Sequence, residues 1–199
     1  VAGEPFSNET SGDITVDIRD EYDNVVDDST DEVTLTVDTG DGTLGGDTTV
    51  SAIDGIATFS DLSIETADDY TLTAAAAGLT EDRSRSFTVS ATDADSFGVD
   101  VPDSITAGEA FALKINATDE FGNPASGQTL TGFELDSEFD GVVFTSPVDL
   151  NETGENETQV AAGAVTTVND SHRLTASAEG LGDLSVFVRV DSADVNSLT

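Results

Sequence analysis

The sequence has no cysteine, methionine or tryptophan, one lysine and one histidine. Without cysteine there can be no disulfide, thiolate metal site, iron–sulfur cluster or cysteine nucleophile, and His172 alone leaves little for an imidazole-based metal site. No run approaches the ~20 consecutive apolar residues of a membrane-spanning helix, which argues against membrane insertion of this segment. The six cations are Lys114, Arg19, Arg83, Arg85, Arg173 and Arg189. They form no basic patch that could neutralise phosphates, so nucleic-acid binding is excluded.

Acid takes the place of what is missing. There are 41 Asp or Glu in 199 residues, giving a formal net charge of −35 at pH 7. The carboxylates are interleaved with apolar residues along the whole chain, so the charge belongs to a surface and not to a tail. With 37% hydrophobic residues and ten Phe, the chain has the means to build one or two cores and is expected to fold. Surface scaling spaces the carboxylates about 16 Å apart on two modules of this size. The Debye length is ~8 Å at physiological ionic strength and ~3 Å at 1 M, so repulsion concentrates at clusters such as Asp27, Asp28, Asp31 and Glu32. The composition resembles that of proteins from extreme halophiles, and it implies a fold that loses cooperativity on desalting.

Internal repetition organises the chain. Ala2-Gly3-Glu4-Pro5-Phe6 recurs as Ala107-Gly108-Glu109-Ala110-Phe111. Ile14 to Asn24 matches Leu113 to Asn123, and Tyr70-Thr71-Leu72-Thr73-Ala74 matches His172-Arg173-Leu174-Thr175-Ala176. Two copies of one module are expected, over residues 1–94 and 95–194. Period-two alternation marks strands at Ile14, Val16 and Ile18, at Leu113, Ile115 and Ala117, and at Val186, Val188 and Val190. Turn residues such as Thr39-Gly40-Asp41-Gly42 and Asp140-Gly141 separate the strands. No capped amphipathic helix is present. The expected fold is all-β: two tandem immunoglobulin-like antiparallel β-sandwiches.

The second copy is introduced by a strand, Ser96-Phe97-Gly98-Val99-Asp100-Val101-Pro102, that has no counterpart before Ala2. Residues 191–198 resemble the lead-in at 91–97. Residues 195–199 are therefore expected to open a further module of a tandem array, or to serve as a donor strand that completes the first module of another subunit.

The block Asp20 to Asn24, and again Asp119-Glu120-Phe121-Gly122-Asn123-Pro124, resembles the Asp-x-x-Gly-Asn-Pro signature of bacterial Ig-like domains of the invasin and intimin type. Gly55 to Ser60 and Tyr70-Thr71-Leu72 also resemble that family. The first copy departs from the signature, with Asp23 in place of the Gly and Val25 in place of the Pro. The resemblance implies a surface-exposed stalk or adhesion module without enzymatic activity. Joined to the acidic composition, it implies a haloarchaeal cell-surface protein, such as an S-layer glycoprotein or a surface filament subunit. Such a protein would be extracellular and would partner copies of itself or neighbouring Ig-like modules. The alternative is an adhesin or a carbohydrate-binding accessory module of a secreted protein. Exposed aromatics would favour that alternative, but the only tyrosines, Tyr22 and Tyr70, both fall at recurring positions and are expected to be structural.

Five Asn-x-Ser/Thr sequons begin at Asn8, Asn116, Asn151, Asn156 and Asn169, against about two expected from composition, and they are candidate glycosylation sites. Calcium is the one candidate cofactor, and none is required. Asp20, Asp23 and Asn24, with Asp119 and Asn123 as repeat equivalents, offer oxygens at a strand-to-loop transition, as do Asp38 with Asp41. No EF-hand spacing is present, and an Asp or Asn before a turn ordinarily bonds the local backbone. No carboxylate pair stands out for glycoside hydrolysis, and no Gly-x-Ser-x-Gly elbow places a nucleophile. His172 takes the repeat position of Tyr70 and is expected to replace it structurally.

Overall fold

The computed structural model describes residues 1–6 and 13–194; Asn8 and Val195–Thr199 lie outside them. Every regular element among the described residues is a strand. The chain divides into two compact units, Val1–Thr92 and Asp93–Thr199.

Unit 1 contains β1 (Ile14–Asp17), β2 (Glu32–Thr39), β3 (Thr49–Ser51), β4 (Ile56–Phe59), β5 (Asp68–Ala76), β6 (Asp82–Arg83) and β7 (Phe87–Val89). β1 pairs antiparallel with β4, and a second sheet runs β3-β2-β5-β6, with β7 also on β5. Unit 2 contains β8 (Ser96–Asp100), β9 (Ser104–Thr106), β10 (Phe111–Thr118), β11 (Thr129–Leu130), β12 (Glu134–Ser137), β13 (Gly141–Thr145), β14 (Val148–Asp149), β15 (Glu155–Val160), β16 (Asn169–Ala178) and β17 (Gly182–Asp191). Here one sheet runs β15-β10-β8 and the other β13-β12-β16-β17-β9, with β11 and β14 as a separate pair. Each unit is an Ig-like β-sandwich.

Alternation explains which residues turn inward. In β10, Phe111, Leu113, Ile115 and Ala117 are buried while Ala112, Lys114 and Asn116 face out. The same period in β17 buries Val188 and Val190 and exposes Phe187 and Arg189. Unit 2 gathers one continuous core around Leu113, Ile115, Phe133, Leu135 and Leu174. In unit 1 the buried residues form two clusters, one around Val33, Leu35 and Phe59, the other around Ile64, Tyr70 and Val89.

The repeated Ala-Gly pair makes the same anchor twice. Ala2 N donates to Ser90 O and Gly3 N to Ile64 O, while Ala107 N donates to Asp191 O and Gly108 N to Val165 O, all at 2.8 Å. Gly3 (φ 72°) and Gly108 (φ 82°) take left-handed backbone at that crossing, which side-chain-bearing residues rarely adopt. Gly40 and Gly42 serve a different need. A Cβ on either would lie 2.3 Å from an atom of the Tyr70 side chain, so the turn after β2 is bare in order to admit that ring.

The two units differ at one place. In unit 2 the segment from Ser96 to Thr106 stitches the sandwich: β8 pairs antiparallel with β10, then β9 runs parallel beside β17. Phe97, Val99 and Val101 thereby pack on the core, with Phe97 edge-on to Phe133 at 6.0 Å. In unit 1, β1 has β4 as its only partner strand among the described residues. Leu113 and Ile115 are fully buried, but their counterparts Ile14 and Val16 are half-buried.

Candidate functional site

The recurring Asp/Asn block closes a turn. Asp20 Oδ1 accepts the N–H groups of Tyr22 and Asn24, each at 2.9 Å, and Asn24 Nδ2 donates to both carboxylate oxygens at 3.2 and 3.1 Å. Asp119 Oδ1 accepts from Phe121 N at 3.0 Å and Asn123 N at 2.8 Å, with Asn123 Nδ2 on Oδ2 at 2.9 Å. The backbone and then the side chain of Asn24 hold the Asp20 carboxyl below the usual carboxylate range. Asp119 and Asn123 are buried, whereas Asp20 and Asn24 are exposed. Asp23 has φ 71° where unit 2 has Gly122 at φ 83°. Arg19 braces this strained residue, with Nη1 on Asp23 O at 3.1 Å and on its carboxylate at 3.3 Å. Asp38 and Asp41 diverge: Asp38 pairs with Arg83 at 2.8 Å, while Asp41 N bonds Asp68 at 3.2 Å. Among the described residues no three His, Cys, Asp or Glu are grouped to hold a metal ion.

The sequons occupy dissimilar settings. Asn116 lies mid-strand on the outer face of β10 opposite Gly98, where a Cβ would come within 2.5 Å of its Oδ1. Asn156 Nδ2 is engaged with Asp149 O at 2.8 Å. Asn151 sits in the exposed turn before β15, its Oδ1 accepting from Thr153 N, Thr153 Oγ1 and Glu155 N at 2.8, 2.7 and 3.0 Å. Asn169 Oδ1 accepts from Ser171 N at 3.0 Å.

A Ser, a His and an Asp converge at the β12–β13 turn, a cluster that the sequence did not disclose. His172 is 0% exposed and Ser137 3%. Nδ1 of the imidazole lies 3.3 Å from Thr167 O, which can only accept, so Nδ1 carries the proton and Nε2 accepts from Ser137 Oγ at 2.5 Å. Ser137 Oγ in turn accepts from Asp140 N at 3.2 Å. Asp140 accepts from the hydroxyls and N–H groups of Thr166 and Thr167. Burial pushes its carboxyl upward, but those four bonds outweigh burial and leave it below the usual range. The hydroxyl is sealed from solvent and its lone pairs face backbone N–H groups, so the arrangement ties strands together and offers no nucleophile. Tyr70 confirms this role at the matching position: it is fully buried, and its hydroxyl donates to Thr66 O at 2.9 Å.

Tyr22 departs from its expected structural role. It is 76% exposed, and its counterpart Phe121 is also exposed. The sequence signal marked a shared turn and could not tell the buried Asp and Asn from the aromatic standing above them.

Unit 1 has an open groove of about 1310 Å³ between its two sheets. Ile14, Val16, Val33, Leu35, Leu72 and Val89 line it, and Arg19, Arg83 and Arg85 stand among its walls. Three of the six cations of the chain thus gather here.

No family model matches the sequence, and no curated protein does. Among solved structures, the adhesin FdeC of Escherichia coli is similar over 96% of this chain and 60% of its own, at 12% identity and TM-score 0.44. Domains 4 and 5 of the S-layer protein SbsC match over 87% of this chain and 78% of theirs, at 15% identity and TM-score 0.32. A glycosyl hydrolase family 2 member from Bacteroides cellulosilyticus matches over 80% of this chain and 21% of its own, at 12% identity and TM-score 0.39. The chain therefore spans less than two thirds of the first of these and about a fifth of the last. All three TM-scores stay below one half, and the matched proteins differ in kind, so these likenesses fix no function.

Proposed function

We propose that this chain is a non-enzymatic scaffold module of an extracellular surface assembly, either an S-layer, a stalk or a filament, from an extreme halophile. One observation carries the reading: what recurs between the two copies is architecture. The Ala-Gly anchor, the Asp–Asn turn clasp and the strand-locking Tyr70 or His172 return at matched positions, each used to hold strands together. A repeat that keeps its locks in both copies suits a mechanical spacer joined end to end with copies of itself or with neighbouring Ig-like modules. The net charge of −35 suits a surface kept hydrated in brine.

Electron microscopy of the native assembly in high salt tests this. A regular lattice or filament is expected, and dispersed single particles at all concentrations would contradict it. A thermal midpoint that stays constant between roughly 0.05 and 3 M NaCl would remove the halophile part.

Tyr22 and Phe121 favour a second reading. They are exposed aromatics repeated at the same turn, and such side chains serve recognition surfaces in adhesins and carbohydrate-binding modules. Loss of cell or glycan binding by a Tyr22→Ser, Phe121→Ser double variant, with its fold intact, would favour that reading over the scaffold.

A further inference from the structure

We infer that Asn151 is the acceptor of an N-linked saccharide on unit 2, and that the fold sets it apart from the other described sequons. The inference rests on the extracellular reading above only for where the transfer takes place. The chemistry makes three demands. A transferase joins Asn Nδ2 to the anomeric carbon of a glycosyl diphosphate: Nδ2 gives up a proton to a base of that enzyme, and the bond from the anomeric carbon to the diphosphate breaks, its electron pair leaving with the phosphate. Nδ2 must therefore be uncommitted. An amide nitrogen shares its lone pair with its carbonyl and is a weak nucleophile, so donors aimed at Oδ1 assist by stabilising the charge that collects there as the proton leaves. The three residues must also stand out from the sheets, so that an active site can surround them.

Asn151 meets all three demands. Asn151, Glu152 and Thr153 are exposed in succession, in the turn that joins β14 to β15 and closes with Gly154 N on Asn151 O at 3.0 Å and Asn151 N on Glu155 O at 2.9 Å. Thr153 N, Thr153 Oγ1 and Glu155 N all donate to Oδ1, so the hydroxyl of the sequon already sits on the amide. Nδ2 makes no hydrogen bond among the described residues. The transfer exchanges one N–H for an N–C bond and leaves Oδ1 with its three donors, so the turn survives modification. The other described sequons each fail a demand. Asn116, Ala117 and Thr118 lie in β10 with strands on both sides, Ala117 is buried, and Thr118 Oγ1 pairs with Ser96 Oγ at 2.9 Å. Two residues along a strand span about 7 Å, which keeps that hydroxyl off the Asn116 amide. Asn156 lies in β15 and commits Nδ2 to Asp149 O. Asn169 is half-buried in β16, and its Oδ1 has one donor, Ser171 N.

The sequence supplies its own control. Asn151-Glu152-Thr153 and Asn156-Glu157-Thr158 are the same tripeptide, five residues apart, one in a turn and the other in a strand. The folded whole chain, carrying Asn8→Gln so that only described sequons are read, is incubated with a purified transferase of Asn-x-Ser/Thr specificity and a glycosyl diphosphate donor. Modified sites are quantified by mass spectrometry. Donor and enzyme are supplied, so the outcome reads the acceptor and not the native location of the chain. Asn151 should be modified first, with initial rates at Asn116, Asn156 and Asn169 at least about tenfold lower, because those strands must open before transfer. Short peptides spanning the Asn151 and Asn156 sequons should be modified at similar rates, since the fold no longer separates them. Asn151→Asp keeps an oxygen for all three donors and removes Nδ2, so it should abolish the first saccharide and leave the circular dichroism unchanged. Thr153→Ser, which retains the hydroxyl, should still accept. Absence of transfer to Asn151 in the folded chain, or a rate at Asn156 equal to that at Asn151, overturns the proposal. So does a preference for Asn151 that persists in the peptides, because the fold would not be its cause.

Discussion

Units 1 and 2 start from matching sequence and arrive at different degrees of closure. Both carry the Ala-Gly anchor, the Asp–Asn clasp and a buried lock at the start of the long central strand. In unit 2, β8 and β9 bridge the two sheets, the clasp is buried and the core is continuous. In unit 1, β1 keeps a bare edge among the described residues, the clasp is exposed and the core divides in two. The strand after the lock shows the same difference: β17 is a single ten-residue strand, while β6 and β7 are two and three residues long. The comparison teaches that one crossing strand decides whether this module has a sealed core, since the locks alone do not seal it.

The sharpest way to break the comparison is to truncate matched core residues. Ile115→Ala should cost unit 2 about 3 kcal/mol, as fully buried aliphatic deletions do, whereas Val16→Ala at the matched position should cost unit 1 less than about 1 kcal/mol. Both tyrosines belong to unit 1, so tyrosine fluorescence during denaturant unfolding follows that unit, and circular dichroism follows both. Equal losses would mean that β1 is covered as well as β10 is.

A smaller effect is expected at the locks. His172→Phe takes the imidazole acceptor from the buried Ser137 Oγ–H and the Nδ1–H donor from the part-buried Thr167 O, and should destabilise unit 2 by about 2 kcal/mol. Tyr70→Phe removes one bond to Thr66 O and should cost unit 1 about 1 kcal/mol.

Acid should act on unit 2 through Asp140. The folded-state pKa of Asp140 is depressed, so its contribution is fully present above the unfolded value of about 4 and is lost as pH falls through the folded value. Asp140→Asn should therefore flatten the acid limb of the stability profile of unit 2, read as denaturation midpoint against pH, and leave that of unit 1 unchanged.

The smallest effect lies at the clasp. Asp23→Gly gives unit 1 the residue type that unit 2 has at Gly122 and relieves a left-handed backbone. It also gives up an exposed ion pair with Arg19 of little worth. A net stabilisation of up to about 1 kcal/mol is expected in the same fluorescence assay.

Much of the fold could be read from the residues. Alternation in Ile14–Ile18, Leu113–Ala117 and Val186–Val190 marked inward faces, because a strand that buries one side must repeat every second residue. The pairing of His172 with Tyr70 as equivalents was legible because the flanking Thr, Leu and Ala repeat around them. The Ser137–His172–Asp140 cluster was not, since its members lie up to 35 residues apart and only the β12–β16 pairing brings them together. The exposure of Tyr22 was hidden for a similar reason: a repeat registers that a position recurs, and solvent access depends on what packs over it. The sequons at Asn116, Asn151, Asn156 and Asn169 share the one pattern Asn-x-Ser/Thr, and only the strand, loop and bonding around each of these four separate them.

Among the described residues the module is sealed in one copy and open in the other, and backbone hydrogen exchange resolved at single residues tests this most directly. Ala117 N donates to Gly154 O on the β15 side, so Lys114 and Asn116 direct their N–H groups to β8, whereas Thr15 and Asp17 direct theirs to a side of β1 that carries no strand among the described residues. In the whole chain, Lys114 and Asn116 should exchange only as slowly as unit 2 opens, and Thr15 and Asp17 should exchange at nearly the rate of an unstructured chain. Matching protection at all four amides would contradict the account.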